Sequence, residues 1–269
     1  MAITTRWWWV RHAPVINSRP ELYGHKDLDC TLADEAALAR LAEWLPADAV
    51  WVTSHLKRAI ATAEAVRARM VERGLAERGT NQTGARMVER GLAERGTDQT
   101  GARMTARAGE AAAGRDEGRA APALPEPIVD RAFAEQNFGD WEGLSFDELK
   151  DWLGAGFEAF WKAPAKVAAP AGESFADVIA RVADGVARVN EAHAGRNIVA
   201  VAHGGSIRAA LAHALSLDPD AALTFRIDNL SLTVIEHIRP DTGTFERGAR
   251  TTWRVASVNA GLNNGVKEW

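Results

Sequence analysis

The chain has 269 residues, of which 46% are hydrophobic, with a formal net charge of −4 and a single cysteine. That length buries a sizeable core as one large domain or two small ones, while the acidic balance argues against a nucleic-acid surface, which needs clustered Lys and Arg. No apolar run reaches the length of a membrane span and the N-terminus lacks a signal-peptide pattern, so the expected address is cytoplasmic; lone Cys30 excludes an internal disulfide and a cysteine-based zinc cluster.

Strand and helix signals alternate along the chain as in a layered α/β fold. The apolar run Trp7-Trp8-Trp9-Val10 leads into Arg11-His12-Ala13. Alternation along a strand forbids all three tryptophans from sharing one face, which predicts a sheet covered on both sides. A loop rich in Pro, Asn, Ser and Gly follows from Pro14 to Gly24, then a helix from about Leu32 to Trp44. Ala49 to Val52 reads as a second short buried strand, with Thr53 and Ser54 as caps for a helix carrying Lys57, Arg58 and Thr62.

The stretch from about Arg67 to Pro125 differs from its surroundings. Met70–Arg86 and Met87–Arg103 are tandem copies of one 17-residue sequence, differing only where Asn81 becomes Asp98. Charge exceeds large apolar content and each copy carries three glycines, which weaken a helix. The expectation is a surface insert of short helical pieces or disorder, since two copies are too few for a solenoid. The rest, 1–269 without this insert, reads as a single domain.

Beyond the insert, Ile128-Val129-Asp130 reads as a short strand, and Phe133 to Gly143 mixes acids, aromatics and glycines without periodicity, as a site loop does. Helices are expected around Phe146 to Trp152, Ala155 to Lys162 and Ser174 to Ala194, the last capped by Ser174 with Asp177 completing a capping box. Ile198 to Ala202 is a buried strand ending at His203-Gly204-Gly205, with a helix from Ser206 to Leu215. Ser231 to His237 and Thr252 to Val258 form a terminal hairpin about a turn at Pro240 to Gly243.

His12 and His203 thus each follow an apolar strand. In an open α/β sheet ligands bind beyond the carboxyl ends of the strands, so two such parallel strands bring both imidazoles to one crevice. Neutral imidazole is a common metal ligand, yet Arg11 beside His12 opposes a metal's charge. Arginines instead present forked donors that match phosphate oxygens. A neutral histidine with one nitrogen tied as a donor can attack phosphorus with the other. Phosphoryl transfer then asks the protein for positioning and for neutralised oxygen charge, tasks suited to Arg11, Arg58 and His203. The departing alkoxide needs a proton, and a carboxyl group in the field of a phosphate is pushed toward that use; Glu135 is the candidate acid. His25, His55, His193, His213 and His237 read as surface or packing residues.

These residues resemble the histidine phosphatase superfamily, also called the phosphoglycerate mutase-like fold. The family's Arg-His-Gly is matched by Arg11-His12-Ala13, its Ser-x-x-x-Arg-x-x-x-Thr-Ala by Ser54, Arg58, Thr62 and Ala63, and its Glu-x-x-Phe-Gly-x-Trp-Glu-Gly by Glu135 to Gly143. Gly172-Glu173-Ser174 and His203-Gly204 complete five motifs in the family's order, covering nearly all the chain except the insert. The resemblance implies a three-layer α/β/α sandwich with a mostly parallel central sheet. It implies His12 as the phosphorylated nucleophile, Arg11, Arg58 and His203 as phosphoryl ligands, and Glu135 as proton donor. Asn17, one residue nearer His12 than the family's asparagine, and the Gly204 backbone N–H are further phosphate ligands on this reading.

The Val10-Arg11-His12-Ala13-Pro14, Leu22-Tyr23-Gly24 and Asp228 to Thr233 stretches look most like the alpha-ribazole-phosphatase-like branch. Tyr23, Phe138, Trp141 and Trp161 are the aromatics expected near the mouth. The expected function is metal-independent, cofactor-free hydrolysis of a small phosphorylated metabolite or nucleotide through a phosphohistidine. The alternatives are a phosphoglycerate mutase, disfavoured because Pro14 replaces a glutamate that mutases retain, and a non-catalytic binding module. No nucleic-acid or membrane partner is expected, and the oligomeric state is left open.

Overall fold

A computed structural model describes residues 2–17, 19–74, 124–240 and 252–261. The Cα framework divides into two units, Met1–Arg67 with Pro125–Trp269, and Ala68–Leu124. In the smaller unit 68–74 and 124 are described, the former as helix; the second repeat copy, most of the first and the turn residues 241–243 lie outside the described residues.

The larger unit is a mixed α/β layer structure around a six-stranded sheet. Its strands are β1 (Ala2–Arg11), β2 (Val50–Thr53), β3 (Ile128–Val129), β4 (Asn197–Ala202), β5 (Leu232–Pro240) and β6 (Thr252–Ala260), in the order β3-β2-β4-β1-β5-β6. The pairings of β1 with β4, β4 with β2 and β2 with β3 are parallel; those of β1 with β5 and β5 with β6 are antiparallel. The expected terminal hairpin is therefore present, its first strand starting one residue later and ending three later than expected.

The helices are α1 (Glu35–Trp44), α2 (57–74, of which 57–67 belong to this unit), α3 (Phe146–Leu153), α4 (Phe157–Lys162), α5 (Phe175–Ala192), α6 (Gly204–Leu215) and α7 (Pro219–Ala222). They lie on both sides of the sheet. Short α7 was not legible in the sequence, because four residues give no period to read. Ser174 caps α5 and Asp177 closes the capping box, as the sequence predicts.

Side-chain alternation sorts the three tryptophans. Trp7 and Trp9 are fully buried on one face, their rings stacked at 5.1 Å and both packed edge-on against Phe133. The Trp7 indole N–H is satisfied by Asn190 Oδ1 at 2.8 Å, which lets so large a ring be buried without an orphaned donor. Val178 and Val182 of α5 with Ile207 and Leu211 of α6 complete that core. Trp8 takes the opposite face, half-buried, with its indole on Asn197.

The register fixes the functional geometry. Arg11 pairs with Ala202, and Thr53 pairs with Val201, so β1, β2 and β4 end side by side. The His12 N–H then donates to the Ala202 carbonyl at 2.9 Å, and His203 is the next residue. Among the described residues no helix is long and apolar enough to cross a membrane.

Candidate functional site

His12 and His203 each stand one residue past a strand end, and their rings lie 5.0 Å apart, both fully buried. His12 Nδ1 lies 2.6 Å from the Ala13 carbonyl. A carbonyl only accepts, so Nδ1 carries the proton and Nε2 carries the lone pair. Nε2 is buried without a partner. Burial above all, with the nearby charges of Arg58 and Arg11, lowers the His12 pKa to about 3 against the opposing pull of the Ala13 carbonyl. The ring is therefore neutral at physiological pH.

The backbone around His12 is pinned from several sides. The Ala13 N–H donates to Thr62 Oγ1 at 2.9 Å, and that hydroxyl donates to the Arg58 carbonyl at 2.7 Å. Asn229 Nδ2 donates to the His12 carbonyl at 2.7 Å. Thr62 stands one helical turn after Arg58 on α2, which explains the spacing of those two residues in the sequence.

His203 has a different set of partners. The Arg58 Nε–H points at its Nδ1 at 3.3 Å, making Nδ1 the acceptor, so the proton sits on Nε2, 2.6 Å from Ser54 Oγ. Its pKa is held well below the usual histidine range by burial first, then by His12, Arg58 and Arg11. Ser54, expected as a helix cap and as the first residue of the Ser-x-x-x-Arg motif, also fixes this tautomer.

Arg58 is fully buried beneath the Tyr23 ring, with its guanidinium carbon 5.0 Å from the ring centre. Its terminal nitrogens donate to the Gly24 carbonyl at 2.6 Å and the Lys26 carbonyl at 2.7 Å. Five guanidinium N–H groups less these three bonds leave one on each terminal nitrogen. Arg11 donates through Nη1 to the Ile227 carbonyl at 2.6 Å, while its Nε is buried and unpartnered.

Glu135 reaches the same place from the loop after β3. Its Oε1 accepts from the Gly205 N–H at 2.9 Å, in the first turn of α6, and from the Gln136 N–H at 3.0 Å. The Glu135 carbonyl is held by Arg181 Nη2 at 2.9 Å and His25 Nε2 at 2.7 Å. Arg181 also holds the Ala132 and Ala134 carbonyls and pairs with Glu173, so one α5 side chain orders the whole approach to Glu135. His25, expected as surface or packing, is part of that support and stacks edge-on against His55.

Two predicted residues fare differently. Gly204 opens α6 directly after His203, two residues earlier than the predicted helix start, and a Cβ added to it would stand 3.7 Å from the Arg11 guanidinium. Asn17 is the residue that the contacts do not bring to the cluster: its Oδ1 accepts from the Arg19 N–H at 3.4 Å within its own loop. Of the expected mouth aromatics, Trp141 is buried, Phe138 and Tyr23 are half-buried, and the Trp161 side chain lies outside the described residues.

Sequence reasoning missed Arg208, one turn into α6. Its Nε donates to the Phe225 carbonyl at 2.7 Å, and its Nη1 lies 3.4 Å from where a Cβ on Gly204 would stand, a point that the Arg11 guanidinium also borders. The signal was available, since a helix starting at Gly204 rather than Ser206 turns residue 208 back toward the strand ends.

The model of the histidine phosphatase superfamily (branch 1) matches residues 72–248, well over half of the chain and including Glu135 and His203. A bifunctional protein of Mycobacterium tuberculosis is 31% identical over 109 residues, covering 40% of this chain and 30% of that protein. A 2,3-bisphosphoglycerate-dependent phosphoglycerate mutase of Cytophaga hutchinsonii is 33% identical over 97 residues, covering 35% and 46%. The chain thus spans between about a third and a half of the length of these curated relatives. The solved structure of a mycobacterial glucosyl-3-phosphoglycerate phosphatase superposes with a TM-score of 0.65 at 23% identity, covering 96% of this chain and all of that one, a likeness of fold.

Proposed function

Because the chain belongs to the histidine phosphatase superfamily, we propose that it is a phosphomonoesterase that hydrolyses a small phosphorylated metabolite or nucleotide through a phosphohistidine. The observation that carries this reading is the state of His12. One ring nitrogen is committed to the Ala13 carbonyl, and the other, deprotonated and unpartnered, sits among Arg11, Arg58 and His203.

His12 Nε2 attacks phosphorus in line as the bond to the leaving oxygen breaks, and Glu135 gives that oxygen its proton. The phosphorylated imidazole is then attacked by water, whose proton Glu135 takes back, and inorganic phosphate leaves with neutral His12 restored. Arg11 Nε and the two spare N–H groups of Arg58 neutralise charge on the equatorial oxygens, and His203 joins them when its Nε2–H turns from Ser54 Oγ to the phosphoryl group. Gly204, at the N-terminus of twelve-residue α6, adds its N–H on this reading. Asn17 needs a turn of its loop to join them.

His12 is fully buried, so a phosphoryl group reaches Nε2 only as neighbouring side chains make room. The loop holding Arg58 through the Gly24 and Lys26 carbonyls is the element best placed to move. We also read 1–67 and 125–269 as one catalytic domain carrying 68–124 as an insert; removing Met70 to Arg103 then leaves hydrolysis intact.

The test is hydrolysis of an aryl phosphate with chelator present, in wild type and His12→Ala. Metal-independent turnover abolished by the substitution, with label from phosphate retained on denatured wild-type protein, is the expected result. A requirement for added metal would overturn the phosphohistidine. Phosphoglycerates with and without a bisphosphate primer separate hydrolysis from the mutase reading that the Cytophaga relative brings.

A further inference from the structure

Beside the phosphoryl cluster lies a pocket of about 330 Å³, within the range of small-molecule sites. Its wall is apolar: Phe138, Trp141, Phe146, Phe160 and Phe175 line it, with Trp141 and Phe160 in edge-to-face contact at 5.5 Å. The two polar lining residues, Gln136 and Arg208, both belong to the phosphoryl side. Gln136 follows Glu135 and donates its backbone N–H to that carboxylate. Arg208 shares Gly204 with Arg11: a Cβ added there would stand 3.4 Å from Arg208 Nη1 and 3.7 Å from the Arg11 guanidinium.

Through Gln136 and Arg208 the pocket therefore adjoins the phosphoryl cluster on the side of the proposed proton donor. We propose that it is the leaving-group subsite, and that the substrate is the phosphate monoester of an apolar alcohol or phenol rather than of a polyhydroxylated or acidic one. The inference rests on the phosphomonoesterase reading above. A polar leaving group in this wall would lose its hydrogen bonds to water and regain few, since Gln136 and Arg208 stand at one end only. An alkyl or aryl group instead adds burial with each carbon. Phe146, 55% exposed and edge-on to Phe157, and Val167, 36% exposed, form the apolar rim of the pocket.

The test is a series of n-alkyl phosphates from ethyl to hexyl, with the matching alkyl phosphonates, whose P–C bond this chemistry does not break. KM for the esters and calorimetric Kd for the phosphonates should each fall about threefold per methylene. Propyl phosphate should exceed glycerol phosphate at least tenfold in kcat/KM. Phe146→Asp with Val167→Asp, both at the exposed rim, should flatten both series, read as the slope within one variant. Hydrolysis without chain-length dependence would overturn the subsite and leave the phosphatase. Chain-dependent phosphonate binding without hydrolysis would overturn the phosphatase and keep the subsite.

Discussion

Glu135 Oε1 lies where a side chain at residue 205 would be: a Cβ built on Gly205 meets that oxygen at 2.2 Å. The glycine at the start of α6 therefore makes room for the carboxylate and also supplies its N–H. Gly205→Ala should keep α6 helical, since alanine is the better helix former, but the end of Glu135 must give way and lose its bonds to the Gly205 and Gln136 N–H groups. It should displace the proposed acid. Steady-state kinetics should show kcat/KM about 100-fold lower for an alkyl phosphate, whose alkoxide needs the proton, and little change for a nitrophenyl phosphate. Equal losses for both substrates would remove Glu135 from that role.

Acid stability follows from the two buried histidines. His12 is lowered to about 3 and His203 is lowered as well, both chiefly by burial, so each is neutral in the folded chain where the unfolded one binds a proton. The unfolded state therefore takes up more protons below about pH 6.5, and stability is lost as pH falls from there toward 3. The slope is about 1.4 kcal/mol per pH unit for each such histidine. Urea unfolding between pH 7 and 4 measures it, and His12→Asn should lower the slope by about 1.4 kcal/mol per pH unit. The same depression removes His12 from the acid limb of kcat/KM, which should show no step near pH 6.5 from this residue.

Arg181 touches no reacting atom in the proposed mechanism. It holds the carbonyls of Ala132, Ala134 and Glu135 and pairs with Glu173. Arg181→Ala should lower kcat about tenfold with KM little changed, because Glu135 loses its placement while the phosphate ligands stay. Arg181→Lys should not restore it, since one ammonium cannot span four acceptors. A loss confined to KM would show that the network serves binding instead.

Thr62 Oγ1 accepts the N–H of fully buried Ala13. Thr62→Val keeps the shape and orphans that donor, at a cost of about 1–3 kcal/mol in chemical unfolding. Thr62→Ser restores the hydroxyl and should recover most of it. A Val variant as stable as wild type would mean that the loop relaxes to find another acceptor.

The elements with a clear period were legible in the sequence. α1, α5 and the β1 and β4 strands follow from apolar spacing, and the Ser174 and Asp177 box marks where α5 begins. The site residues were legible where each sits on a strand end or a helix start. Supports such as Arg181, His25 and Asn229 were not, because each acts across a separation in sequence that only folding closes. Asn17 shows the converse: a residue close to His12 in sequence turns its amide to Arg19 instead.

By itself the sequence determined which side chains are present for phosphoryl chemistry and their order, since strand ends and helix starts are local properties of the chain. The tertiary structure alone decided that β1 and β4 are neighbours and parallel, which puts the His12 and His203 rings 5.0 Å apart. It also decided their states. The Ala13 carbonyl, the Arg58 Nε–H and burial set the two tautomers and low proton affinities, and electrostatics of that kind depend on atoms brought together through space.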